Sequence, residues 1–318
     1  MKIKMPLVLK NYLSYLSSIR GNTKDTIIAY RYDLIFFFRY LKIYYNLVDD
    51  NTPFECISIS DIDIPFIKNI DLMEIYSFLT YLEMDRNNNS ATRARKIAAI
   101  KSFFGYANKK AKFLDYDIST ELETPKIRKK VPIFLTYGEC VKLINSVSGT
   151  HLLRDKCIII IFLNTGIRLS ELCSINISSI KNNTLIVTGK GDKQRLIYLN
   201  DYCMNSINSF LKERLAVKNI INEDAKDALF ISQKKNRINK RTVEDVVKNA
   251  IEKAGLSKKY SVHKLRHTAA TLLFQSGIDI RTLQIILGHE SVSTTQIYTH
   301  VNEEQIKEAM NVNPLNKI

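Results

Sequence analysis

Three stretches in the first third of the chain repeat apolar residues at steps of three and four, which is the spacing of an amphipathic helix. They cover residues 26–43, 73–84 and 92–107. Asn22 and Thr23 precede the first stretch, and both residue types are common caps of helix N-termini. The pattern therefore predicts a helical N-terminal region.

The pattern changes in the second half, where residues 184–189 and 195–199 form two short β-branched or apolar runs around a polar, glycine-containing sequence. Two such runs predict a β-hairpin. Residues 136–146 and 155–164 again have helical spacing, and a further helix is predicted to begin within residues 170–174.

The remaining C-terminal sequence alternates helical segments with short loops, and Gly255, Gly277 and Gly288 are predicted to terminate helices. Strand signals outside the single hairpin are few. The predicted fold class is therefore mainly α, with a small β-sheet in the C-terminal part of the chain.

A charged, apolar-poor segment bounded by Pro125 and Pro132 divides the chain at residues 124–132. Proline and clustered charge of this kind are typical of a linker. A chain of 318 residues is also long enough for two domains with separate cores. We therefore predict one domain over residues 1–123 and a second over residues 133–318.

The chain carries 47 Lys and Arg residues against 32 Asp and Glu residues, a formal net charge of +15. Such an excess favours a polyanionic partner, although ribosomal and membrane-surface proteins share it. No run approaches the roughly 18 apolar residues that a membrane helix needs. Lys10 and Asn11 interrupt the N-terminal apolar residues before a signal-peptide core could form, so we expect a cytoplasmic protein.

Two basic segments are candidates for contact with nucleic acid. Residues 86–112 contain eight basic residues and no acidic one, and residues 236–251 place basic side chains at the start of an amphipathic helix. Helices of this kind suit phosphate contacts and the major groove, and the alternative for both is a solvated surface. The candidate DNA-binding residues are Arg93, Arg95, Lys96 and Lys101 in the first segment and Arg237, Lys240 and Arg241 in the second.

Four of the five histidines lie in the last fifth of the chain. His263 and His267 are spaced like zinc ligands, but no glutamate follows the first, and Lys264 and Arg266 between them would repel a cation. Two imidazoles beside an arginine instead predict an anion site, for which phosphate is the expected occupant. The five cysteines form no CxxC pair, so we expect reduced thiols and neither a metal nor a cofactor.

Four segments follow one another in the C-terminal part: TGIRLSEL, TGKGDKQRLIYL, HKLRHTAATLL and LGHESVSTTQIYTH. Before them stand NTKDTIIAYRYDLIFFFRYL and SATRARKIAAIKSFFGYA. Together they resemble the tyrosine recombinase and phage integrase family, particularly its Xer-type members, over nearly the whole chain. The resemblance implies a helical core-binding domain, a catalytic domain, and catalytic residues at Arg168, Lys190, His263, Arg266, His289 and Tyr298.

The resemblance implies a site-specific recombinase that cuts and rejoins DNA through a 3′-phosphotyrosine intermediate and a Holliday junction. Tyr298 would be the nucleophile, His263 the acceptor of its proton, and Lys190 the acid that protonates the leaving 5′ oxygen. Arg168 and Arg266 would neutralise the nonbridging oxygens, to which His289 would donate a hydrogen bond. Because rejoining reverses these steps, no high-energy cofactor is needed.

Some of these residues have alternative roles. Arg168 can pair with Glu171 one helical turn on, which is compatible with catalysis because the contact would orient the guanidinium. Lys193 competes with Lys190 for the role of acid. His267 is expected to pack within its helix rather than to catalyse.

Residues 302–310 resemble the short C-terminal helix that family members dock into a neighbouring protomer, and Ile306 and Met310 supply its apolar face. We therefore expect a tetramer on two double-stranded DNA sites, with a paralogous recombinase or an accessory protein as an optional further partner. A type IB topoisomerase and a catalytically inert DNA-binding regulator are the competing functions. Chromosome-dimer resolution, plasmid resolution and movement of an integrating element all remain open.

Overall fold

The computed structural model describes residues 4–125, 133–189 and 194–288. These residues are mainly helical and contain one three-stranded sheet, which confirms the predicted fold class. The chain forms two compact units that divide between Lys129 and Lys130, inside the segment predicted to be a linker. Each unit has its own hydrophobic core.

The described part of the first unit consists of helices and connecting loops. Its α-helices are α1 (Leu7–Ser18), α2 (Lys24–Tyr44), α3 (Ile64–Lys68), α4 (Leu72–Met84) and α5 (Ser90–Lys109). The three predicted helical stretches correspond to α2, α4 and α5. Thr23 caps α2 by accepting a hydrogen bond from the backbone N–H of Thr26, and Asn89 caps α5 in the same way through Thr92.

An aromatic core holds the helices of the first unit together. Phe37 and Phe38 of α2 lie against Phe78 of α4 and Phe103 of α5, with ring centroids 5.0 Å apart for the Phe37–Phe78 pair and 5.7 Å apart for the Phe38–Phe103 pair. All four rings are fully buried. The rings meet at steep angles, the arrangement that aromatic quadrupoles favour.

A buried charge cluster also joins α2 to α5. The Asp33 carboxylate is buried and accepts hydrogen bonds from Lys96, at 3.0 Å, and from Arg95. Burial lowers the pKa of Lys96 in spite of the opposing effect of Asp33. Because a buried carboxylate is costly without cations, these two basic residues have a structural task in this domain.

The described part of the second unit combines eight helices with the sheet. The helices are α6 (Tyr137–Ser146), α7 (Leu152–Thr165), α8 (Leu169–Cys173), α9 (Asp201–Ala216), α10 (Glu223–Lys226), α11 (Lys240–Lys253), α12 (Val262–Gln275) and α13 (Ile280–Leu287), and the strands are β1 (Ile180–Lys181), β2 (Thr184–Thr188) and β3 (Gln194–Tyr198). The predicted hairpin corresponds to β2 and β3. Gly255, Gly277 and Gly288 follow α11, α12 and α13 with positive φ, as helix-terminating glycines do.

Helix α7 lies at the centre of the second unit. Every residue from Cys157 to Leu163 is buried, because α7 packs against α6, α9 and α12 on different sides. This explains why the longest apolar run of the sequence occurs here. Within residues 4–125, 133–189 and 194–288, no helix combines the length and the apolar character that a bilayer span requires.

The sheet is antiparallel in the order β1-β2-β3. Leu185 pairs with Ile197 and Val187 pairs with Arg195. Cross-strand partners share a face, and Leu185, Val187 and Ile197 are all buried. Arg195 therefore lies on the inward face of the sheet, among apolar residues.

Candidate active site

Arg168 owes its position to the sharp end of α7. Gly166 ends that helix in the left-handed conformation, with φ of +59°, and Arg168 lies at the N-terminus of α8. A Cβ atom at position 166 would approach the Leu287 side chain to 2.8 Å. Glycine is therefore required both by the backbone conformation and by the close approach of α13.

The carboxylate of Glu171 fixes the Arg168 side chain. Glu171 is 1% exposed and accepts hydrogen bonds from the guanidinium of Arg168, at 2.8 Å, and from its backbone N–H, at 2.9 Å. Arg195 donates to the same carboxylate at 2.9 Å. Burial alone would raise the pKa of Glu171, but the hydrogen bonds from Arg195 and Arg168 outweigh it and hold this pKa below its usual value.

Arg266 reaches the same region from α12. Its side chain is buried and donates to the backbone carbonyls of Gly166 and Leu287. These contacts fix the guanidinium between the end of α7 and the end of α13. A buried charge held by two carbonyls is preorganised, because its solvent shell has already been replaced by fixed dipoles.

Three arginines converge on the C-terminal end of α13. Arg195 donates to the carbonyl of Ile286, Arg266 to that of Leu287, and Arg168 to that of Gly288. The last carbonyls of a helix lack partners within the helix and carry the negative end of its dipole. Three cations therefore stabilise this helix end. Gly288 follows the helix, and His289 comes directly after Gly288 in the sequence.

His263 and His267 form a hydrogen-bonded pair in the first turns of α12. Their Nε2 atoms are 3.1 Å apart and their rings are nearly perpendicular. Desolvation together with the nearby charges of Arg266 and Lys264 lowers the pKa of His263. Desolvation and the neighbouring His263 ring lower the pKa of His267 to about 4. Both imidazoles are therefore mainly neutral at neutral pH.

Arg168, His263 and Arg266 line one cavity of about 790 Å³ in the second unit. Lys240 and Lys248 of α11 line another part of its wall. The cavity thus joins two guanidiniums and a neutral imidazole on one side to a wall of α11 that carries both ammonium groups and the carboxylates of Glu244, Asp245 and Glu252. This arrangement can bind a phosphate, neutralise its negative charge and accept a proton beside it.

The structure brings together three of the six predicted catalytic residues. Arg168, His263 and Arg266 share the cavity, whereas Lys190, His289 and Tyr298 lie outside the described residues, as does residue 193. The predicted C-terminal helix at residues 302–310 also lies outside them. The predicted pairing of Arg168 with Glu171 is confirmed.

The DNA-binding candidates of the first unit differ in exposure. Lys96 is buried against Asp33, and Arg93 is largely covered and pairs with Glu83. Arg95 is 46% exposed although it also contacts Asp33. Lys101 is partly exposed.

The candidates of the second unit also divide into two groups. Lys240 and Arg241 are exposed at the start of α11, whose N-terminus is capped by Asn239. Arg237 pairs with Asp224 and donates to Asn176, so it ties the segment before α11 to neighbouring loops.

Arg195 is a site residue that the sequence analysis missed. It contacts Glu171 and the end of α13, both of which also hold Arg168. The sequence did contain a signal. Arg195 lies two positions before Ile197 in β3, so the two side chains share the inward face of a half-buried strand. A charged residue at such a position requires a partner.

Comparison with known proteins identifies the family of the chain. The family model "Phage integrase family" matches residues 134–305. Tyrosine recombinase XerC of Caldanaerobacter subterraneus subsp. tengcongensis is 47% identical over 319 residues, covering 99% of this chain and 89% of the relative. Tyrosine recombinase XerC of Corynebacterium glutamicum is 34% identical, covering 97% of this chain and 92% of the relative.

Among solved structures, the XerH site-specific recombinase bound to a palindromic difH substrate, in a post-cleavage complex, has a TM-score of 0.72. It is 26% identical, and the match covers 96% of this chain and 84% of that one. The relatives and the solved structure therefore match nearly the whole length of the chain, and the family model matches its second half. The chain belongs to the phage integrase family and is a site-specific tyrosine recombinase of the Xer type.

Proposed function

We propose that Arg168 and Arg266 clamp the scissile phosphate of a double-stranded DNA site. The observation that carries this assignment is that both guanidiniums line one cavity and are anchored to the same helix end, directly before His289. A guanidinium has five N–H donors, so Arg168 can hold Glu171 and Gly288 and still bind phosphate oxygens. His289 would add a hydrogen bond to the same phosphate.

Tyr298 is the proposed nucleophile, and His263 the proposed acceptor of its proton. Attack of the phenolic oxygen on phosphorus forms a 3′-phosphotyrosine bond and breaks the bond to the 5′ oxygen, which leaves as a hydroxyl after protonation by Lys190. The reverse reaction with a different 5′ hydroxyl rejoins the strands. A neutral imidazole at His263 is the form that this step requires.

A nicked suicide substrate tests the assignment, because cleavage releases a short strand and traps the covalent complex. We expect a protein–DNA adduct in the presence of a chelator, only on DNA that contains the cognate site. Relaxation of supercoiled DNA without a site would instead indicate a type IB topoisomerase. Site binding without an adduct would indicate an inert regulator.

The loss of cleavage on acidification should be centred below pH 6.5. His263 must be neutral to accept a proton, and its pKa is lowered from the usual 6.5, so its protonation begins only at more acidic pH. Single-turnover cleavage measured against pH should therefore show a fall whose midpoint lies below pH 6.5. In Lys264→Gln, which removes one of the charges that lower this pKa, the fall should move to higher pH. A fall centred above pH 6.5 in the wild-type protein would contradict the assignment of His263.

The role of Lys190 can be tested by changing the leaving group. A bridging 5′ sulfur leaves without much need of protonation, so a variant without its general acid should recover much of its cleavage rate on that substrate. We expect this rescue for Lys190→Ala and not for Arg168→Ala, whose defect concerns the nonbridging oxygens. Rescue of Lys193→Ala alone would assign the acid to that lysine. Rescue of neither variant would mean that the acid lies outside this hairpin.

The N-terminal domain, predicted over residues 1–123 within the first unit, is proposed to bind the core of the DNA site. The C-terminal domain, predicted over residues 133–318 within the second unit, is proposed to perform the chemistry. Basic residues that are exposed, or partly exposed in the case of Lys101, support this for both units: Arg95 and Lys101 in the first and Lys240 and Arg241 in the second. Lys96, Arg93 and Arg237 would have a structural role instead. Their ion pairs with acidic residues hold in place the segments that carry the exposed basic residues.

The XerH relative of known structure was solved with its difH substrate, which supports DNA as the partner here. We propose that the active form is a tetramer on two sites, in which residues 302–310 of one protomer dock on the next. A paralogous recombinase could supply two of the protomers. The protein would act in the cytoplasm, where its DNA substrate lies.

A further inference from the structure

Arg195 is an unusual residue for the inward face of a small sheet. Its cross-strand partner is the buried Val187, and its own side chain is 14% exposed. A charge in such a place is costly unless fixed partners replace its water. The identity of those partners indicates what the residue does.

The two partners of Arg195 belong to two other elements. One is the carboxylate of Glu171 on α8, at 2.9 Å, and the other is the carbonyl of Ile286 near the end of α13. A single guanidinium therefore connects β3, α8 and α13. Its planar fork can satisfy both acceptors at once, which an ammonium cannot do with the same geometry.

Glu171 divides its two oxygens between two arginines. Oε1 accepts from the Arg168 guanidinium, whereas Oε2 accepts from Arg195 and from the backbone N–H of Arg168. Without Arg195, this buried carboxylate would lose one of its two cations and would be held less firmly against Arg168. Arg168, which is 35% exposed, would then lose a fixed anchor. The orientation of Arg168 thus depends on Arg195 without any direct contact between them.

Gly288 provides the space through which Arg195 reaches α13. This residue has φ of +63°, and a Cβ atom there would lie 2.6 Å from Cδ and 2.8 Å from Nε of Arg195. The same atom would lie 3.5 Å from Nη1 of Arg168. Both arginine side chains therefore lie against the backbone of the residue that precedes His289.

From these contacts we propose that Arg195 is a positioning residue. Acting through Glu171, it fixes the position of the Arg168 side chain relative to the C-terminal end of α13. In this proposal Arg195 does not contact the phosphate. It fixes the position of Arg168, which does, relative to the backbone that precedes His289. This inference rests on the proposed function, since it takes Arg168 to act on the phosphate.

Arg195→Gln tests the proposal against a matched control, Arg214→Gln. Arg214 is also buried and donates to three backbone carbonyls, those of Ala225, Lys226 and Ala228, none of which belongs to the candidate site. Small misplacements of reacting groups cost up to about a hundredfold in rate. We expect single-turnover cleavage to fall about ten- to a hundredfold in Arg195→Gln, with unchanged DNA affinity, and to stay at the wild-type rate per folded molecule in Arg214→Gln.

A second substrate separates positioning from general damage to the fold. A methylphosphonate at the scissile position lacks one negative nonbridging oxygen, so it needs less charge neutralisation by arginine. Relative to the wild-type protein, Arg195→Gln should therefore lose less of its cleavage rate on methylphosphonate than on phosphate. Arg168→Ala should show the same preference. Equal losses of Arg195→Gln on both substrates, or a wild-type rate on phosphate, would overturn the proposal.

Arg195→Lys serves if the glutamine variant does not fold. It keeps the positive charge but cannot hold Glu171 and the Ile286 carbonyl with one planar group, so a smaller loss with the same preference for methylphosphonate is expected. A wild-type rate in Arg195→Lys would overturn the proposal as well. Failure of the proposed function is recognised separately, because the wild-type protein would then form no covalent adduct, or Arg168→Ala would lose the same rate on phosphate and on methylphosphonate.

Discussion

A Tyr298→Phe variant should bind its DNA site with wild-type affinity and form no covalent adduct. The substitution removes only the phenolic oxygen, which is the atom proposed to attack phosphorus, while the basic surface that holds the duplex is unchanged. The measurement is trapping on a suicide substrate with chelator present, followed by denaturing electrophoresis. The expected loss is complete, since no other step can replace the missing nucleophile.

Tyr202→Phe is the control for this experiment. Tyr202 is half exposed at the start of α9 and has no place in the proposed chemistry. This variant should trap DNA as the wild-type protein does. An adduct formed by Tyr298→Phe would mean that another residue is the nucleophile and that the assignment of Tyr298 is wrong.

Arg168→Ala and Arg266→Ala should lose cleavage far more than binding. Each arginine acts on charge that grows at one phosphate, whereas many other basic residues hold the duplex. Loss of such a contact costs about 3 to 4 kcal/mol of transition-state stabilisation, on the order of a hundredfold or more in rate. Single-turnover rates and dissociation constants for the same DNA site measure the two effects. Equal losses of affinity and rate in Arg266→Ala would contradict the clamp role.

The two variants should differ in stability. Arg266 is buried and bonds two backbone carbonyls, which would lose their partner in Arg266→Ala, so a lower free energy of unfolding is expected. Arg168 is more exposed, and its replacement should disturb the fold less. Urea unfolding of both variants separates this structural loss from the loss of catalysis.

Strong local patterns made much of the fold predictable. Helix α2 was expected over residues 26–43 and spans Lys24–Tyr44, because its buried aromatic face and its Thr23 cap both appear in the local sequence. Helix α1 was missed, although Leu9, Tyr12, Leu13 and Leu16 have helical spacing, because this segment was considered only as a signal peptide. Strand β1 has two residues, which is too short for any periodicity to show.

Side-chain environments were harder to predict than elements. Nothing near Lys96 in the sequence indicates that it is buried, because its partner Asp33 lies 63 residues away and meets it only after α2 and α5 pack. The partners of Arg195 are likewise remote in sequence, at Glu171 and Ile286. The motifs identified Arg168, His263 and Arg266 as a set, but the anchoring of the arginines to α13 depends on tertiary structure.

Helix α13 is attached to the rest of the second unit by few apolar groups. Leu283 and Leu287 form a small cluster with Ala270 of α12 and the partly buried Leu273, Phe274 and Ile278, separate from the large core around α7. The carbonyl contacts of Arg168, Arg195 and Arg266 therefore supply much of the attachment at its C-terminal end. Local detachment of α13 would remove one carbonyl acceptor from each of the three arginines at the same time, so the positions of their side chains at this helix end are coupled.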